Sequence, residues 1–433
     1  LKAFLQSPLA AIAAALVAGA VSVAGFAPLA VFPLPFLTLA GLLLIWLRAG
    51  ARAAFWAGFA FGVGLFGVGA SWVYVSLHDF GMMQAPLAAI GTLAYCAILS
   101  LYPAAAGWCL ARLVRAPLTA ALMAFPAAWT LFEWLRGWVF TGVPWLALGY
   151  SQVDSPLAGF APVFGVYGVS FATVLCAGLL VLVVTGSLKA RLAGGVALVF
   201  AFGLGQLLKQ IEWTSLQGAP LKVALLQGNI PQDLKFQADR YAMTLSIYKR
   251  LIETSKGQLI VLPETAIPRF LDAVDPSYLK DIAKIAAERG ADVLIGVPIR
   301  DPGGRYFNSV VSMGASPSQR YDKSHLVPFG EFVPPGFGWI VKIFAIPLSD
   351  FSLGPEHPRP LALAGQFVAP NICWEDAFGE EIIRQLPDAT LLVNVSNVAW
   401  FGDSLAPAQH LQISRMRALE TGRTLLRATN TGM

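Results

Sequence analysis

The first half of the chain is a succession of long apolar stretches separated by short polar loops. These stretches run at about 8–27, 29–47, 53–77, 85–111, 117–135, 165–186 and 192–208. Each approaches the ~20 apolar residues that cross a bilayer as a helix, so the pattern predicts seven spans. The first stretch, behind Lys2, reads as an uncleaved anchor rather than a signal peptide, because six further spans follow it without a polar break. After Lys209 the period shortens. Brief β-branched runs bounded by Gly, Pro and Asn predict strands near 221–227, 258–262, 292–297, 307–313, 366–372, 390–395 and 424–428. Helical patterns alternate with them near 239–255, 276–289, 378–386 and 405–420. The expected organisation is a polytopic α-helical membrane domain over 1–211 and an α/β layered sandwich over 212–433.

Composition sharpens that division. The 433 residues are 56% hydrophobic and 13% charged, outside the range of soluble domains and of disordered, collagen-like or disulfide scaffolds. Residues 1–211 hold nine Lys or Arg and three Asp or Glu, leaving 21 basic and 22 acidic residues for the rest. The net charge of +5 therefore belongs to the membrane half and does not point to nucleic acid. Basic residues mark alternate loops: Lys2, then Arg48 and Arg52, Arg112 and Arg115, Lys189 and Arg191. Asp79 and Asp154 occupy the others, with Arg136 as the exception. The positive-inside rule then puts the N-terminus in the cytoplasm, and seven spans deliver 212–433 to the far side, the periplasm in a bacterium.

Some signals in the membrane half have bland readings. Gly62–Gly67 matches GxGxxG but has no preceding strand, whereas Gly58 and Gly62 make a GxxxG face for close helix packing. Glu133 and Arg136 fit either a substrate path or a snorkelling pair near a span end. Trp129, Trp134, Trp138 and Trp145 fit an interfacial belt or the lining of a lipid crevice.

The chemistry lies in the second half. Cys96, Cys109 and Cys176 sit in apolar runs and behave as small hydrophobes, while Cys373 stands alone in its domain. LIVLPETAIP puts Glu264 just after a strand; QRYDKSHLVPFGEF carries Lys323 and Glu331; FVAPNICWEDAF ends a strand at Cys373. Acyl transfer by a thiol needs a base, a donor for the oxyanion and an acid for the leaving group. A carboxylate, an ammonium and a thiol at three strand ends supply that set. A helix opening behind Cys373 would also lower the thiol's pKa. His325 offers a Cys-His dyad as the alternative. No HExxH, Cys-His zinc spacing, P-loop or GxSxG occurs, so no metal or cofactor is expected.

With 59 and 50 positions separating Glu264, Lys323 and Cys373, the segments LPETA, YDKSHLVPFGEF and NICWED closely resemble the Glu-Lys-Cys triad of the nitrilase superfamily. Together with seven spans, VSNVAWFGDS and HLQISRMRALETGRTLLRATNTG, they resemble its membrane-bound branch, the apolipoprotein N-acyltransferases. The resemblance implies a nitrilase-like αββα sandwich on a bundle of spans in the bacterial inner membrane. It also implies acyl transfer from a phospholipid to the N-terminal amine of a diacylglyceryl-cysteine apolipoprotein, by a monomer with membrane lipid as its surroundings. Glu331, Glu375, Asn397 and Trp400 are supporting candidates. Against the family pattern, Phe236 stands where an aromatic lid residue, often Trp, is expected, and a chain ending at Met433 is expected to be incomplete. Finally, 334–351 is too apolar for a loop and too short to span. Trp339, Ile340, Ile343 and Phe344 share one helical face there, the mark of an interfacial segment that admits lipid, unless the face packs into the domain's own core.

Overall fold

The computed structural model of the chain describes residues 7–114, 120–216, 218–334 and 350–432. The expected lipid-admitting face of Trp339, Ile340, Ile343 and Phe344 lies outside the described residues. Contacts divide the chain into two units. One comprises Leu1–His78, Gln84–Trp213 and Asp403–Gly422; the other comprises Asp79–Met83, Thr214–Gly402 and Arg423–Met433.

The first unit is helical: α1 (Pro8–Ser22), α2 (Leu34–Trp46), α3 (Ala51–Gly69), α4 (Ala85–Leu113), α5 (Phe125–Arg136), α6 (Ala161–Thr185) and α7 (Leu188–Leu208). Among the described residues each of the seven expected stretches carries a helix, and five helices are long and apolar enough to cross a membrane. The second stretch is shortened to 13 residues because its helix begins beside Pro33 and Pro35. Ser7 and Ser187 cap α1 and α7 by accepting from backbone N–H groups three residues on. The GxxxG face packs as expected. A Cβ on Gly58 would stand 2.5 Å from the Pro103 carbonyl oxygen, and one on Gly62 2.7 Å from Cα of Ser100, so α3 and α4 meet backbone to backbone.

The units part between Trp213 and Thr214, and Asp79–Met83 and Asp403–Gly422 belong to the unit opposite to their neighbours in sequence. The latter holds α10 (Ala406–Thr421), which reads from sequence as a sandwich helix. Its side chains explain its allegiance: Arg415 pairs with Asp154, Gln409 accepts from Trp145 Nε1 at 2.7 Å, and Glu420 accepts from the Val166 N–H at 2.6 Å.

The second unit is built on two sheets. β1 (Val223–Leu225), β2 (Leu259–Val261) and β3 (Asp292–Arg300) are parallel; β4 (Tyr306–Gly314) and β5 (Arg320–Asp322) continue that sheet antiparallel. In the other sheet β6 (Leu361–Leu363) pairs antiparallel with β7 (Gln366–Ile372), followed in parallel by β8 (Leu391–Ser396) and β9 (Thr424–Thr429). Period-2 alternation gives the first sheet two apolar faces. Leu259, Val261, Leu294 and Val310 meet Val368, Ile372, Val393 and Val395 between the sheets. Ile260, Val293 and Ile295 pack outward with Ile252 of α8 (Tyr241–Thr254) and Ile282 of α9 (Pro276–Ala287). Ala369, Ala389 and Leu392 meet Ile382, from the short helix after β7, on the outer face of the second sheet. These layers are the αββα sandwich. Strands β5 (Arg320–Asp322) and β6 (Leu361–Leu363) lie outside the expected strand ranges.

Candidate active site

Three strand ends supply the candidate triad. Glu264 follows β2, Lys323 follows β5 and Cys373 follows β7 directly. In an α/β layer such carboxyl-terminal ends are where the chain turns and side chains become available. The turns are tight. Thr265 and Cys373 take positive φ, 48° and 56°, which few non-glycine residues adopt and which surrounding structure must hold in place. The strain at Cys373 marks it as the apex of the site.

A closed ring of polar contacts joins Glu264, Asn308, Glu331 and Lys323, and the charges of Glu264, Lys323 and Glu331 act on Cys373. Asn308, on β4, donates through Nδ2 to Glu264 Oε1 and to Glu331 Oε1, both at 2.8 Å. Lys323 Nζ lies 2.9 Å and 2.8 Å from the two Glu331 oxygens and 4.0 Å from Glu264 Oε1. The other Glu264 oxygen accepts the Asn397 backbone N–H at 2.9 Å. Glu331 is in turn fixed by the Val327 N–H, at 2.8 Å. One Asn thus clamps two carboxylates, and one Lys sits between them.

The electrostatics follow. Burial works against the Lys323 ammonium, but Glu331 foremost, then Cys373, Glu264 and Glu375, outweigh it and hold its pKa well above the usual lysine range. Cys373 moves the other way from expectation. Burial first, then Glu264 and Glu331, push its thiol up, and Lys323 and Arg427 only partly oppose them. The expected lowering by a helix N-terminus fails because Cys373 opens only a five-residue 3₁₀ turn, Cys373–Ala377, with little dipole to offer. The Cys373 thiol is therefore held toward its neutral form.

Glu375 has a clear task. Buried beneath the turn, it accepts from Ser324 N–H at 2.7 Å, His325 N–H at 3.0 Å, Ile372 N–H at 2.6 Å and Tyr321 O–H at 2.9 Å. It ties the loop bearing Lys323 to the strand end bearing Cys373. Asn397 supports the base through its main chain, as above. Trp400 is 38% exposed and sets its ring edge-on to Phe80. His325 does not form a Cys-His dyad: its Nδ1 lies 2.9 Å from Glu381 and its ring stacks on Phe378.

Several contributors were not singled out from sequence. Asn308 is one, hidden as an unremarkable polar residue in an apolar strand. Asn394, which the VSNVAWFGDS segment placed near the site from sequence, donates through Nδ2 to the Cys373 carbonyl at 2.8 Å, while its Oδ1 accepts from Arg427 at 2.8 Å. Arg427 also pairs with buried Asp376 at 3.1 Å. A buried lysine, Lys235, donates to the Glu264 carbonyl at 3.2 Å. A charged residue inside an apolar strand, as Arg427 is, was the one available signal. Among the described residues no group of three or more His, Cys, Asp or Glu could hold a metal.

Comparison with known proteins identifies the family. The family described as "Apolipoprotein N-acyltransferase N-terminal domain" matches residues 18–179, and the family "Carbon-nitrogen hydrolase" matches residues 222–433. The chain is 51% identical over 430 residues to the apolipoprotein N-acyltransferase of Nitrosomonas europaea, covering 97% of this chain and 85% of that protein. It is 46% identical to that of Chromobacterium violaceum, covering 97% and 82%, and 45% identical to that of Methylococcus capsulatus, covering 94% and 82%.

Proposed function

Because the chain belongs to the apolipoprotein N-acyltransferase family, we propose that its site performs acyl transfer in two halves through a Cys373 thioester, with a phospholipid as donor and the N-terminal amine of a diacylated apolipoprotein as acceptor. The observation that carries this is the ring of Glu264, Asn308, Glu331 and Lys323 at the strained, partly exposed Cys373. Glu264 is the base, Lys323 the oxyanion donor and Cys373 the nucleophile.

In the first half the thiol proton passes to Glu264 as sulfur bonds to the ester carbonyl carbon. The carbonyl oxygen becomes an oxyanion beside the permanently charged Lys323. Collapse breaks the ester C–O bond, Glu264 returns the proton to the departing alkoxide, and a lysophospholipid leaves. In the second half the lipoprotein amine attacks the thioester and gives a proton to Glu264. The C–S bond breaks, an amide is released and the proton returns to sulfur. The raised thiol pKa suits this cycle, since a neutral thiol keeps the site's charge balanced until the donor arrives. Glu331 keeps Lys323 charged and aimed, and Glu375 keeps the two loops in register.

The chain is a membrane protein, and the Lys and Arg loops support a placement in the bacterial inner membrane with residues 212–433 on the periplasmic side. Mass spectrometry after incubation with phospholipid tests the reaction. An acyl mass on Cys373 that a diacylated lipopeptide removes is the expected result. Ammonia release from an amide with no adduct would assign a hydrolase using water as acceptor, and no reaction with either substrate would refute both readings. An impermeant thiol reagent tests the orientation: a cysteine at Ser318 should label from outside and one at Ala51 should not.

A further inference from the structure

A lysine inside a protein must have a reason, because burying an ammonium costs several kcal/mol unless partners compensate. Lys235 is 2% exposed. Its Nζ donates to the main-chain carbonyl of Glu264, not to a carboxylate. Lys323 already stands 4.0 Å from the Glu264 carboxylate and is paired with Glu331, so oxyanion stabilisation does not require a second ammonium. Something about Glu264 itself does.

The loop that carries Lys235 holds Glu264 at both ends. Lys235 takes the main-chain carbonyl. Gln232, three residues earlier, accepts from Asn397 Nδ2 at 2.8 Å, and the Asn397 N–H donates to Glu264 Oε2 at 2.9 Å. Asn430 locks the same loop, donating to the Ile230 carbonyl at 2.7 Å and accepting the Ile230 N–H at 3.2 Å. From the sheet side, a Cβ on Gly296 would meet Glu264 Cα at 2.7 Å, so the backbone there has no slack. The next residue, Thr265, is in the left-handed region, a conformation that needs such restraint.

We propose that Lys235 is a positioning residue for the base: its ammonium fastens the Glu264 main chain and sets a positive charge beside the Glu264 carboxylate. This rests on the reading of Glu264 as the base. The charged groups in play are Glu264, which acts on Lys235 directly, and Lys323 and Glu331, which flank Glu264 in turn. Burial lowers the Lys235 pKa to about 8, with Glu264 opposing the fall, so the group stays mostly protonated at neutral pH. The coupling is reciprocal: if Lys235 holds Glu264 ionised, Glu264 holds Lys235 protonated.

The test is the pH dependence of Cys373 acylation by phospholipid in the full-length protein, read by mass spectrometry. In wild type the acid limb reports protonation of the base. Lys235→Met should move that limb up by about one pH unit and lower the plateau rate about tenfold, the shift following from loss of one nearby charge. Lys235→Arg, which keeps the charge, should leave the limb in place. A Lys235→Met limb at the wild-type pH overturns the proposal even if the rate falls, because a purely structural lysine would do that. Should Lys235→Met fail to fold, the reciprocal effect decides: competitive acetylation of Lys235 with acetic anhydride should show a lower titration midpoint in Glu264→Gln than in wild type. An unchanged midpoint overturns the proposal. A Glu264→Gln protein that acylates Cys373 at the normal rate overturns the base assignment and the proposal together, whereas an inactive Glu264→Gln with an unmoved Lys235→Met limb overturns the proposal alone.

Discussion

Both units bury charge, and they use it differently. In the helical unit Glu133 and Arg136, three residues apart on α5, are 5% and 3% exposed. Glu133 accepts the Leu148 N–H at 2.8 Å, and Arg136 donates to the carbonyls of Val143 and Trp145, each at 2.5 Å. They are neither a snorkelling pair nor a group aimed at a passing substrate. They staple the 143–148 loop to the helix by satisfying backbone groups that lipid cannot. In the sandwich unit the carboxylates and ammonium bond mainly to one another and to Asn308, around a strained thiol. Charge spent on backbone is architecture; charge balanced against charge beside a nucleophile is chemistry, because only there can a proton move without leaving an orphaned group.

That contrast can be broken most directly at Cys373. Cys373→Ala should abolish adduct and transfer, and Cys373→Ser should lose most turnover because a hydroxyl gives up its proton far less readily. Wild-type acylation of either would move the nucleophile elsewhere. Next in size is Lys323→Ala, which removes the oxyanion donor and should cost about 3 kcal/mol, on the order of a hundredfold in rate, with lipid binding retained. A rate within twofold of wild type would reduce Lys323 to a structural ion.

Glu264→Gln sharpens the comparison by splitting two reactivities of one thiol. Glu264 contributes to the raised Cys373 pKa, so removing its charge lowers that pKa and increases the thiolate fraction at any pH below it. Alkylation by iodoacetamide at pH 8 should therefore quicken while acyl transfer collapses. If both slow together, Glu264 is not the charge that keeps the thiol neutral. Glu375→Gln tests the support: one carboxylate oxygen that accepts backbone N–H becomes an NH₂, leaving buried donors facing a donor. A loss of about 1–3 kcal/mol in stability is expected, with a lower melting temperature and slower acylation.

The smallest catalytic effect belongs to the helical unit. Arg136→Leu should lower the melting temperature through two orphaned carbonyls yet leave the reaction of Cys373 with a soluble thioester within about twofold. A rate loss without destabilisation would mean that the helical charges are not mere staples.

The two-part organisation, the seven apolar stretches and seven of the nine strands were legible because they depend on period and composition. Apolar, β-branched runs of six or more residues bounded by turn residues, as in β4 and β7, are readable in one dimension. The candidate triad was proposed from sequence because each member follows a readable strand or a distinctive loop. The second sheet layer of contacts was not. Asn308 lies 44 positions from Glu264, and Asn394 and Arg427 meet across β8 and β9. Apart from the charge of Arg427 inside an apolar strand, no local pattern distinguishes those polar residues from ones that face water. The direction of the thiol's pKa also escaped, since it depends on how many carboxylates converge on Cys373 and how short the turn behind it is.

The amino-acid order by itself determined which segments seek lipid, which alternate as strands, and which residue types can carry acyl chemistry, because hydropathy and functional-group identity are properties of single residues and short windows. Tertiary structure alone decided that α10 packs with the membrane helices although it lies between two sandwich strands. It alone decided that Glu133 and Arg136 serve the backbone, and that Lys235 lies behind the base. Each of those facts is a distance between groups far apart along the chain, and such distances exist only once the chain has closed its loops and committed each buried polar group to a partner.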